Sequence, residues 1–135
     1  MNRSGALVLV LVVATVAGVA VGASRAAASA ERAEAAARAQ AERVARDQDI
    51  TFFETRATAD PIGAADRARL AALYQQRGRE TGDFEDYRRA EGLAGRSLAL
   101  RAAHNAGSYV VLASTLLAQH RFTDARAAAR ALNAR

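Results

Sequence analysis

The chain has 135 residues, 19 of them arginine and none lysine, against 14 acids, for a formal charge of +5. The arginines are scattered among the acids with no basic run longer than Arg88-Arg89, so the charge does not describe a nucleic-acid surface, and no nucleic-acid partner is expected. The absence of cysteine excludes a disulfide scaffold, a thiolate metal site, a cysteine nucleophile and a lipid-modified cysteine. A single proline and abundant alanine favour helix throughout, which makes the expected fold class all-α.

The first element is an uncharged run from Gly5 to Ala23. As a helix it would span roughly 28 Å, close to the hydrocarbon thickness of a bilayer. Residues 1–24 are therefore expected to be either an uncleaved transmembrane anchor, contacting the membrane through residues 5–23, or a signal peptide cut after Val21, Gly22 and Ala23. The length favours the anchor, because signal cores commonly run about 7–15 residues. Counting arginines on the two flanks does not orient the segment. The remainder is expected on the extracytoplasmic side, or secreted to the periplasm if the segment is removed.

Residues 25–49 form the second element, a charged Ala/Arg/Glu helical spacer. Glu34, Arg38, Glu42 and Arg46 recur every four residues, which places opposite charges in one ladder along the helix. Val44 is the only large apolar side chain, so no coiled-coil seam is expected.

Residues 50–135 repeat themselves. Leu70-Ala71 followed by Tyr74 gives a large-small-aromatic spacing, and Tyr109, Leu112-Ala113 and Leu116 recur at the spacing of Arg67, Leu70-Ala71 and Tyr74. Ala90, Ala94 and Leu98, widened by Leu93, Ser97 and Leu100, stripe the helix that completes the first hairpin. Phe122, Ala125 and Ala129 do the same in the second. The residues expected to pack hairpin on hairpin are Leu70, Ala71, Tyr74, Ala90, Tyr109, Leu112, Ala113, Leu116, Phe122 and Ala125. Ile50, Phe52 and Phe53 are expected to cover the open side of the first hairpin, and the helix from Thr123 to Ala134, with Asp124, Arg126 and Arg130 on one face, to cap the last.

This pattern resembles a tetratricopeptide repeat protein over residues 60–132, preceded by a half repeat. The resemblance implies a short α-solenoid of about two helix hairpins plus a capping helix. It further implies a groove, lined by the first helix of each hairpin, that binds a protein or peptide; Arg69, Ala72, Gln76, Val110, Ser114 and Leu117 hold the matching positions. The chain departs from the family at three points. The customary tryptophan is Arg67 in one repeat and Tyr109 in the other, and the closing proline is missing. The first hairpin is also longer, with 19 residues from Ala71 to Ala90 against 12 from Ala113 to Ala125, which requires a longer first helix or a longer loop at Thr81-Gly82-Asp83.

Chemistry is not expected. His104 and His120 fall at turns with no carboxylates at ligand spacing, no serine sits in a nucleophile elbow, and no glycine-rich phosphate loop follows a strand. No metal, cofactor or catalytic residue is therefore assigned. The acidic run Asp83-Phe84-Glu85-Asp86-Tyr87 is read as a helix N-terminus rather than a calcium site. The expected function is a non-catalytic interaction module held at a membrane as a scaffold or adaptor. The alternative is a secreted or self-assembling structural protein, built by self-association of the exposed repeat ends.

Overall fold

In the computed structural model the backbone is described for residues 3–134, and the side chains for residue 25 and residues 27–134. Five helices occupy it: α1 (Arg3–Ala59), α2 (Ala64–Thr81), α3 (Phe84–Leu100), α4 (Ala106–Ala118) and α5 (Phe122–Asn133), with no strand among the described residues. The fold is all-α. The apolar run 5–23 lies outside the residues whose side chains are described. Among the described residues no helix is long and apolar enough to cross a membrane.

The chain separates into two units, Met1–Arg43 and Val44–Arg135. In the first, Arg38 and Glu34 approach to 3.4 Å with both side chains largely exposed, a pair that contributes a few tenths of a kcal/mol at most. The second unit begins at Val44, earlier than the expected boundary at Ile50, and Arg46 shows why. It does not continue the charge ladder. Its side chain is buried, with only 6% of the residue exposed, and its guanidinium pairs with Glu80 near the end of α2. The ladder therefore ends before Arg46, because a partner on α2 captures this arginine.

Within the second unit α2 packs on α3, α3 on α4 and α4 on α5, and α2 also touches α4; the end of α1 joins the core through Ile50, Phe53 and Ala57. Helix α1 ends at Asp60-Pro61, since proline lacks the N–H needed to continue. The carboxylate of Asp60 accepts from the Ile62 N–H at 3.1 Å, which tightens the turn. Arg67 then closes the end of α1. Its guanidinium donates to the carbonyls of Ala57 and Asp60, both at 2.8 Å, and to that of Gly63 at 2.9 Å. A cation donating to the last carbonyls of a helix satisfies groups that have no partner inside it and opposes the negative end of its dipole.

The first hairpin gains its extra length in its helices. Helix α2 runs ten residues past Ala71, whereas α4 runs five past Ala113; α3 starts six residues before Ala90, whereas α5 starts three before Ala125. The turn itself is short. Gly82 takes a left-handed φ of 76° and donates to the Gly78 carbonyl at 2.8 Å, and Asp83 caps α3 by accepting from Glu85 N at 2.9 Å. The acidic run is thus a helix cap in this structure. A Cβ on Gly82 would meet nothing within 4 Å, so its replacement is resisted by backbone conformation alone. Gly82→Ala is expected to lower stability by about 1 kcal/mol in chemical denaturation. The second hairpin turns without glycine. His120 takes φ 58°, its N–H donates to Leu117 at 3.0 Å, and Arg121 N donates to Leu116 at 2.9 Å, the paired closure of a Schellman motif.

Ile50, Leu70, Ala71, Leu73, Tyr74, Ala90, Ala94 and Val111 form the main core, and Leu116, Ala125 and Ala128 a smaller one, with Leu112 packed against both. Alanines at 71, 90 and 94, each fully buried, let the helix axes come close. Two expected stripes are rotated. On α1 the inward residues are Ile50, Phe53 and Ala57, three and four apart, which turns Phe52 out to 55% exposure. On α5 they are Ala125 and Ala128, so Phe122 (62% exposed) and Ala129 fall outside the core, and the Phe122 ring rests edge-on near His120. Phe122 therefore does not pack hairpin on hairpin as its spacing suggests.

Thr115 is fully buried, and its hydroxyl has no hydrogen-bond partner among the described residues. Removing the orphaned hydroxyl without changing shape relieves a desolvation cost, so Thr115→Val is expected to raise stability by about 1 kcal/mol. A denaturation midpoint unchanged or lower would contradict this.

Candidate partner-binding face

The six residues assigned to the groove lie on α2 and α4, which contact each other. The hydrogen bond from Gln75 Nε2 to Ser114 Oγ sets their register. Ser114 Oγ in turn donates to the Val110 carbonyl at 2.6 Å. On α4, Val110 and Leu117 are two turns apart and half exposed, at 55% and 50%. They are the exposed apolar members of the face. Gln76 is exposed and donates to Glu80 at 3.0 Å.

The other two α2 residues are placed differently. Arg69 is exposed but leans to Asp49 on α1 at 3.8 Å, and Ala72 packs against the core. The face therefore consists of a polar edge from α2 and an apolar strip from α4. Gln75, which sequence spacing did not single out, is the buried residue that joins them. A glutamine beside Gln76 on a polar helix carries no sequence signal that tells which of the two turns inward.

Two further polar constellations hold the unit together. Asp86, 2% exposed, accepts two hydrogen bonds of 2.7 Å from Nε and Nη2 of Arg77. Arg77 also lies over the Tyr74 ring at 5.0 Å, and Arg89 lies over it at 5.4 Å. The Tyr74 hydroxyl donates to Glu54 and accepts from Arg89 at 3.3 Å. Burial, reinforced by Glu54, pushes its ionisation above the ordinary tyrosine range. It is thus a neutral donor at physiological pH.

The second constellation centres on Ser97, which has no exposure. Its hydroxyl donates to Ala64 O at 2.7 Å and accepts from Asn105 Nδ2 at 2.9 Å and Ser108 Oγ at 3.1 Å. One donor and two acceptors saturate it.

An open cleft of about 350 Å³ lies between Glu54, Leu70, Tyr74, Arg89, Gly92 and Leu93, and a smaller one of about 240 Å³ between Ala102, His104, Asn105, Ala106, Tyr109 and Leu132. The polar groups at the first, Glu54, Tyr74 and Arg89, are bound to one another. Among the described residues no group of three or more histidine, aspartate or glutamate side chains is placed to hold a metal ion. His104 and His120 are exposed at their turns.

No protein-family model, curated protein or solved structure matches the chain.

Proposed function

We propose that the chain is a non-catalytic protein-interaction module of the tetratricopeptide type, tethered to a membrane through residues 5–23 and serving as a scaffold or adaptor. The single observation that carries the binding role is the exposure of Val110 and Leu117, two turns apart on α4, which packs against α2. Fully covering an aliphatic side chain of that size contributes about 1.5–3 kcal/mol, so two of them supply the anchor of a modest interface. The repeated Leu-Ala spacing and the helix-on-helix packing support the repeat assignment. The length and lack of charge of residues 5–23 support the tether.

The test uses the full chain purified under mild conditions from solubilised membranes. Val110→Glu combined with Leu117→Glu is expected to leave the helical content unchanged and to abolish recovery of the partner. Equal recovery by the double variant contradicts the binding face, and recovery of the chain alone contradicts the scaffold role. An intact mass lacking the first 23 residues contradicts the tether and makes the remainder a secreted domain.

A further inference from the structure

The two hairpins are copies at matched positions, so the burial of the first shows what the second leaves uncovered. Aligning Leu70-Ala71 with Leu112-Ala113, and Ala90 with Ala125, pairs Gln75 with Leu117, Ala94 with Ala129 and Glu91 with Arg126. In the first hairpin Gln75 is 8% exposed and Ala94 has no exposure, because α4 packs there. In the second, Leu117 is half exposed and Ala129 is exposed. The α4–α5 side thus carries the same docking geometry as the α2–α3 side, and an additional helix is the shape that fits it.

Charge says which helix. At the internal junction Glu91 receives Arg121 Nη1 at 2.6 Å and Gln119 Nε2 at 3.0 Å from the end of the incoming segment. At the outer junction the matching residue is Arg126, and Arg130 lies one turn on. Neither has an ion-pair partner among the described residues. The surroundings share that sign, since residues 92–135 contain six arginines and one acid, Asp124, which Arg121 already holds at 2.8 Å. Another helix like α4 would bring an arginine against Arg126. A helix bearing an acid there would not.

We propose that the α4–α5 side binds an amphipathic acidic helix of a partner protein, seated as α4 is seated on α2–α3, with a carboxylate on Arg126. This rests on the interaction-module reading and names its partner class; half-exposed Leu117 belongs both to this side and to the α2–α4 face, so the two sites adjoin and one partner helix reaches both.

The chain lacks cysteine, so Ala129→Cys gives a single reporter thiol on this side. The full chain is extended at its C-terminus by a flexible Gly/Ser linker and a second copy of residues 105–121 carrying Arg121→Glu, which holds the probe helix at high effective concentration. Thiol labelling at position 129 is expected to slow at least about tenfold relative to the unextended chain, and to stay unchanged when the added copy keeps its arginine. Arg126→Glu is expected to reverse that preference.

Equal slowing by both extensions, or slowing by neither, overturns the proposal. Concentration-dependent slowing in the unextended chain also overturns it, because a second copy then covers the side. If the charge preference is missing while Val110 and Leu117 still govern partner recovery, the acidic-helix inference fails and the interaction module stands. If the double variant recovers the partner as before, it is the binding face that fails.

Discussion

Arg77→Ala is expected to destabilise the unit by about 3–5 kcal/mol, the range found when one partner of a buried ion pair is removed. The carboxylate of Asp86 is almost wholly buried, and both its short hydrogen bonds come from that one guanidinium. Without Arg77 it is left in a poorly solvated site with neither of those hydrogen bonds. The variant also loses the cation over the Tyr74 ring, worth about 0.5–2 kcal/mol more. A domain of this size has about 5–8 kcal/mol in hand, so most of its stability goes. Replacing both partners with apolar residues of similar volume, Arg77→Met with Asp86→Leu, is expected to recover much of the loss, since neither charge is then stranded. Denaturant titration followed by circular dichroism measures both. A loss below about 1 kcal/mol for Arg77→Ala would show that water reaches Asp86.

Ser97→Ala is expected to lower stability by about 2–3 kcal/mol, and Ser97→Leu by more, because the site has no room for added methylenes. The single hydroxyl joins the start of α2, the end of α3 and the start of α4 through Ala64, Asn105 and Ser108. Its loss removes a partner from two buried donors and one carbonyl at once. Asn105 keeps its bond to the Arg101 carbonyl at 2.8 Å, which limits the damage. A double-mutant cycle with Ser108→Ala is expected to be non-additive, since the two hydroxyls share one hydrogen bond.

The helices themselves were legible because their signals are local: an alanine-rich chain, a lone proline at the end of α1, and Leu-Ala pairs at matched spacing. The turn at Gly82-Asp83 was legible as a turn, but not as a short one, because nothing local says whether extra residues lengthen a helix or a loop. Spacing alone turns Phe52 and Phe122 inward. A shift of one residue rotates a helix position by about 100°, and which aromatic faces the core depends on neighbours far away in sequence. Arg46, Arg67 and Ser97 were invisible as structural residues for a related reason. Each contacts groups ten or more residues away: Glu80 for Arg46, Ala57 for Arg67 and Ala64 for Ser97. Composition alone reads them as a ladder charge, a departure from a motif and a small polar residue on an apolar stripe.

Of the face itself, the sequence placed all six residues on the first helix of each hairpin, but the repeat register pairs exposed Leu117 with buried Gln75 and so does not say which side turns outward. Arg69 and Ala72 depend on more distant neighbours, because α1 supplies Asp49 to one and the core closes over the other.

Site-specific photocrosslinking in the native membrane tests the interaction module most directly. A photoreactive residue placed at Val110 in the full chain is expected to yield one discrete adduct with another polypeptide, and the same residue at Gly92 on the opposite hairpin helix, where a side chain meets nothing within 4 Å, is expected to yield none. Equal crosslinking from both positions, or an adduct that contains only this chain, would contradict a partner-binding role for the α2–α4 face.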